Sequence, residues 1–133
     1  MTLSLFFLSF LVVMANNLLI KIFLMDKLDK LLKMQRDLSI ELASDKYPST
    51  IEQRISVLCI AIVPEAIELQ RLTNWKWWKK PEKFNEKNAR EELIDIWHFL
   101  LQASIELGMT SEDILNHYSH KNKINKLRKK SNY

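Results

Sequence analysis

The sequence predicts an all-α fold, a four-helix bundle-like domain behind a hydrophobic N-terminal segment. Three observations carry this. The 133 residues include one Gly and three Pro, too little turn-forming material for a sheet protein with many reversals. Apolar residues make up 47% of the chain, enough for one domain with a real core. Those residues recur at helical spacing in four segments separated by short breaks.

The leader, residues 1–24, contains no Asp or Glu and a single base, Lys21. Three readings of it stand side by side. Met25 can be the natural start, with the leader as extra translated sequence. The leader can be a membrane-associated helix, although Asn16, Asn17 and Lys21 interrupt it. It can also be a signal peptide, against which counts the lack of a basic residue between Met1 and the apolar run. Residues 25–133 are expected to form the domain.

The first helix is expected over about Met25 to Ala43, with Leu28, Leu31, Leu32, Met34, Leu38 and Ile40 as its apolar residues. Ser44 to Pro48 breaks it. Ser49 or Thr50 then caps a second helix, and Glu52 or Gln53 completes a capping box. That helix runs to about Asn74 and contains Pro64, which removes a backbone hydrogen bond and predicts a kink. Cys59, the lone cysteine, lies in the run Val57 to Ala61 and reads as a small core residue. Trp75 to Asn85 is a polar, aromatic connection. A third helix starts near Asn85 to Asn88 and ends at Gly108, as expected for a left-handed C′ position. Thr110 or Ser111 caps a fourth helix running into a basic tail. The connection between the second and third helices is short, so antiparallel packing is expected.

Two pairs of acids carry the chemistry. Glu65 and Glu68 lie three apart on the second helix, and Glu92 and Asp95 three apart on the third. Each pair occupies one helix face. Both are embedded in apolar runs, where bare carboxylates are costly, and Asp95 is especially hard to explain as a solvated residue. Brought together by antiparallel packing, four acids repel unless cations hold them. Hard divalent ions with oxygen ligands, Mg²⁺ above all, are the natural answer. Glu91, one helical step from Glu92, is expected to face solvent.

The charge of +4 is unevenly placed. His117 to Tyr133 holds six of the 20 bases and none of the 16 acids. Such a tail can bind RNA, a membrane surface or the phosphates of a small ligand. Lys121, Asn122, Asn125 and Arg128 fall on one helical face, suited to phosphate oxygens. Lys129 and Lys130 read as plain surface.

Several of these stretches together resemble a known family. They are Glu65 to Leu69, Asn74 to Lys80, Glu91 to Phe99 and the tail pattern Tyr118, Lys121, Asn122, Asn125, Arg128. They look like the all-α NTP pyrophosphatases, closest to the dimeric dUTPase family and its compact phage and bacterial members. The resemblance spans about residues 28–133. It implies a cytoplasmic enzyme, a homodimer or a tetramer of dimers, hydrolysing dUTP to dUMP and pyrophosphate. It implies two or more Mg²⁺ ions held by Glu65, Glu68, Glu92 and Asp95, with Glu65 or Glu68 also handling the attacking water. Tyr118, Lys121, Asn122, Asn125 and Arg128 would contact phosphates, and Lys79 could reach them too. No nucleic acid partner is then expected, and membrane association only through the leader. Trp75 or Trp78, His98 and Phe99 would lie near the base. Gln35 matches the family's uracil-reading glutamine, whose amide both donates and accepts. Ser39 stands where the family usually has Asn or Asp, a departure bearing on strict uracil specificity.

Rival readings remain. A MazG-type pyrophosphatase would accept other or more nucleotides. A di-iron bundle wants Glu-x-x-His on two helices, whereas only Asp95 and His98 offer anything similar. A non-catalytic RNA- or membrane-binding protein would use the tail and leader alone.

Overall fold

A computed structural model describes residues 26–130. The leader and its three readings lie outside the described residues. Among the described residues there are four helices and no strand: α1 (Lys27–Glu41), α2 (Ile51–Arg71), α3 (Glu86–Glu106) and α4 (Ser111–Lys130). None is long and apolar enough to cross a membrane.

Each helix begins where a short polar side chain can satisfy an orphan backbone donor. The Asp26 carboxylate accepts from the Lys27 amide at 2.7 Å. Thr50, rather than Ser49, caps α2, and Asn85 caps α3. At α4, Thr110 and Asp113 form a reciprocal box: Asp113 N–H donates to Thr110 Oγ1, and Thr110 N–H donates to Asp113 Oδ2. Ser111 does something else. Its hydroxyl donates to Asp29 at 2.6 Å and ties α4 to α1.

Gly108 ends α3 as expected. Its φ is +69°, and Gly108 N–H and Met109 N–H donate to Ile105 and Ser104 carbonyls. This is the paired bonding of a Schellman cap, which needs a residue free to adopt left-handed backbone. Pro64 does not end α2, which continues through it to Arg71.

The main layer is the α2–α3 pair, with α1 packed on α3 and α4 on α1. The pair is antiparallel. Arg54, near the start of α2, bonds Glu106 at the end of α3, while Glu65 and Glu68 farther along α2 meet Glu92 near the start of α3. Leu32, Leu58, Ala89 and Leu101 form the buried apolar core, Leu32 being wholly enclosed. Cys59 is exposed, contrary to the sequence expectation. It lies on an outer stretch of α2 with Ile60 and Val63, which are also uncovered, so its apolar neighbours do not enclose it.

Candidate metal centre and adjoining cavity

Glu65, Glu68 and Glu92 each present a carboxylate oxygen such that all three lie within 4.8 Å of one another. The i, i+3 spacing on α2 stacks Glu65 under Glu68, and antiparallel packing carries Glu92 across to them. Glu65 and Glu92 are half-buried, and Glu68 is exposed. Asp95 lies one turn beyond Glu92 and is exposed. Its apolar neighbours Ile94 and Trp97 are 54% and 45% exposed. Contrary to the sequence expectation, the apolar run around Asp95 therefore does not bury it.

The cluster is electrostatically strained. Desolvation, then the negative charges of Glu68, Asp95, Glu65 and Glu91, push the Glu92 carboxyl above the ordinary carboxylate range. Oxygen-only donors, closely spaced and mutually repelling, fit a hard divalent cation. Softer metals preferring nitrogen or sulfur find no such donor in the trio.

A cavity of about 440 Å³ lies between α1, α2, α3 and the α1–α2 connection, its α3 wall beginning at His98, past the acids on that helix. Gln35, Ser39, His98 and Phe99 line it, together with Gln102 and Glu106. Three of the residues expected near a base are thus brought together. Their polar atoms form a chain of hydrogen bonds. His98 Nδ1 lies 2.8 Å from Gln35 Oε1. Gln35 Nε2 donates to Gln102 Oε1 at 3.1 Å, and Gln102 Nε2 donates to Glu106 Oε1 at 2.8 Å. Arg54 Nη1 and Tyr47 Oη also donate to Glu106, at 3.1 and 3.0 Å. Burial pushes the Glu106 carboxyl up, but the bonds from Gln102, Arg54 and Tyr47 outweigh it and hold it below the ordinary range. Burial and the bond to Glu106 raise the Tyr47 hydroxyl.

Gln102, Glu106, Arg54 and Tyr47 were missed by sequence reasoning. The signal for the first two was present: His98, Gln102 and Glu106 are spaced by four along α3, a polar stripe continuing the acid face. Arg54 and Tyr47 had no such signal, because only the tertiary fold brings them to α3.

The Trp/Lys connection lines a different cavity, of about 490 Å³, with Trp75, Lys76 and Lys79 on its wall. The Asn74 side chain closes this loop, donating to the Glu82 carbonyl and accepting from its amide, both at 2.9 Å. Trp78 stands edge-on to Trp75 and Trp77, and the Lys76 ammonium lies over the Trp75 ring at 4.9 Å. Trp75 therefore faces a space other than the one lined by Gln35. Tyr118, Lys121, Asn122, Asn125 and Arg128 sit on exposed stretches of α4. Glu91 is exposed and pairs with Lys87, as expected.

Comparison with known proteins adds two findings. A family model described as dUTPase matches residues 27–109. A protein of Enterobacteria phage LZ5 named dCTP pyrophosphatase is 31% identical over 145 residues, covering 81% of this chain and 83% of the phage protein. No solved structure matches the chain.

Proposed function

The chain belongs to the dUTPase-like family of all-α NTP pyrophosphatases, and from that premise we propose that residues 25–133 form a Mg²⁺-dependent enzyme that hydrolyses dUTP to dUMP and pyrophosphate. The convergence of Glu65, Glu68 and Glu92 carries the reading. These three would hold the cations, with Asp95 one turn away joining them. When bound, Mg²⁺ neutralises phosphate oxygens and lowers the pKa of the attacking water. Glu65 or Glu68 orients that water and takes its proton as its oxygen attacks phosphorus. The P–O bond toward pyrophosphate breaks, and the pair leaves as dUMP and pyrophosphate. No side-chain nucleophile is needed, because positioning and charge neutralisation supply most of the catalysis.

The arrangement along α3 supports a nucleotide. Glu92 and His98 are six residues apart, or ~9 Å along the axis and ~120° around it, so a ligand that bends around α3 past Asp95 can place phosphates at the acids and its base in the cavity. In that pose Phe99 stacks on the base and the Gln35 amide meets its edge. The basic set Tyr118, Lys121, Asn122, Asn125 and Arg128, with Lys79, supplies phosphate partners. Trp75 and Trp78 keep a place in base binding only through movement of their loop or through a second copy of the chain. A homodimer is part of the reading. Ile60, Val63 and Ile67 form an uncovered stripe on α2, at 67%, 54% and 40% exposure, which a second copy would bury. The cytoplasm suits it, since a single cysteine asks for no oxidising compartment.

A second reading, dCTP as the substrate, is favoured by the name of the phage relative, and Ser39, a departure from the uracil-reading pattern, leaves room for it. The test is a panel of nucleoside triphosphates with Mg²⁺ and a pyrophosphate readout, wild type against Glu68→Ala. Equal turnover of dUTP, dCTP and dTTP would sink dUTP specificity. No Mg²⁺-dependent pyrophosphate from any nucleotide would sink the enzyme reading and leave the binding-protein alternative. Light scattering gives the mass in solution, and a fully active monomer refutes the dimer.

A further inference from the structure

The four-member chain from Glu106 to His98 has a direction, and the chemistry of its end sets it. An ionised carboxylate only accepts hydrogen bonds, and Glu106 is held ionised by three donors. Gln102 must therefore turn its NH₂ toward Glu106 and its oxygen toward Gln35. Gln35 must then turn its NH₂ toward Gln102 and its oxygen toward His98. His98 must carry a hydrogen on Nδ1 to meet that oxygen at 2.8 Å. Both glutamines are 8% exposed, so reversing either amide would oppose like groups where little water is at hand to compensate.

We propose that Gln102 and Glu106 are positioning residues for base selection, locking the Gln35 amide in one orientation and His98 in its Nδ1–H tautomer. A freely rotating Gln35 would read a uracil edge and a cytosine edge equally well, since its amide supplies a donor and an acceptor in either order. A locked Gln35, with one N–H spent on Gln102 and one lone pair on His98, offers its remaining N–H and lone pair in one order only. Uracil presents an N3–H donor beside a 4-oxo acceptor, and cytosine presents an N3 acceptor beside a 4-amino donor. A fixed donor–acceptor order therefore matches one of these bases and opposes the other. Two buried groups left opposed are what separates a discriminating site from a permissive one. The inference rests on the pyrophosphatase reading for its substrate, but the lock itself is a property of the chain without ligand.

Two measurements test it. Long-range ¹⁵N–¹H spectra of the full chain report the His98 tautomer directly. Nδ1–H is expected in wild type, and a shift to Nε2–H or a mixture in Gln102→Leu, which keeps Arg54 and Tyr47 on Glu106. In parallel, the ratio of kcat/KM for dUTP and dCTP is measured. Wild type should favour one of them by roughly tenfold or more, and Gln102→Leu should cut that preference to about threefold or less. The exchange Gln102→Glu with Glu106→Gln again faces Gln35 with an acceptor-only group, and should restore tautomer and preference together. Nε2–H in wild type overturns the lock. So does an unchanged ratio in Gln102→Leu, or an equal loss for both nucleotides, which marks a purely structural role. Absence of hydrolysis of either nucleotide by wild type defeats the pyrophosphatase reading and, with it, base selection, while the tautomer still judges the lock.

Discussion

Replacing Arg54 by Met isolates the charge contact that joins α2 to α3 beside the cavity. Arg54 Nη1 bonds Glu106 Oε2 at 3.1 Å, with side chains 32% and 10% exposed. Its Nε also donates to the Pro48 carbonyl at 2.6 Å, fixing the α1–α2 connection. A hydrogen bond to a charged group is worth about 1.5–3 kcal/mol, and one-third exposure of Arg54 argues for the lower end. Removing Arg54 also leaves Glu106 with only Gln102 and Tyr47, so a loss of about 2–3 kcal/mol is expected. In a domain of this size each kcal/mol moves Tm by roughly 4–8 °C, giving a fall of about 8–24 °C. The pH dependence supplies a second readout. The Glu106 carboxyl is depressed in the fold, so its stabilisation is present above the ordinary carboxylate value near 4.5 and is lost as pH falls through the folded value. Arg54→Met should therefore cost most near neutral pH and little at acid pH. Adding Glu106→Gln to Arg54→Met removes the stranded charge and should regain part of the loss. Thermal denaturation by circular dichroism across pH measures all of this. A single variant within about 2 °C of wild type near neutral pH, or a double variant less stable than the single one, refutes the reasoning.

Three further outcomes follow from the same structure. The Glu92 carboxyl is raised, so the metal-free fold should lose stability as pH climbs from near 4.5 through the folded value, the opposite sign to Glu106. Mg²⁺ should cancel that loss and raise Tm with concentration, and Glu92→Gln should flatten both effects in a melting series with and without chelator. Leu32→Ala empties the one wholly enclosed large side chain and should cost about 2–5 kcal/mol by urea unfolding, with the metal response retained. Gly108→Ala meets no atom within 4 Å, so only its left-handed φ of +69° resists, and about 1–2 kcal/mol of destabilisation is expected in the same assay.

Much of the scaffold was legible because its signals are local. Helical periodicity, Thr50, Asn85 and Thr110 as caps, and Gly108 as a stop all act within a few residues of themselves. The i, i+3 acids were legible for the same reason, since helix geometry alone stacks them. Burial was less legible. Cys59 and Asp95 sit in apolar runs, yet both are exposed. An apolar run says that something should cover it, without saying whether this chain does so.

The sequence by itself determined the all-α class, the helix boundaries to within a few residues and the acids on each helix face. The sequence anticipated that the four acids converge; only the tertiary structure decided that Glu65, Glu68 and Glu92 form the close trio and that Asp95 is exposed. It alone decided that Trp75 lines a separate cavity from Gln35, and that a carboxylate at Glu106 governs that glutamine from two residues away in a bonded chain. The physical reason is range. Periodicity and capping are set by neighbours in sequence, whereas the approach of α1, α2 and α3 is set by the packing of Leu32, Leu58 and Leu101, residues that carry no chemistry of their own.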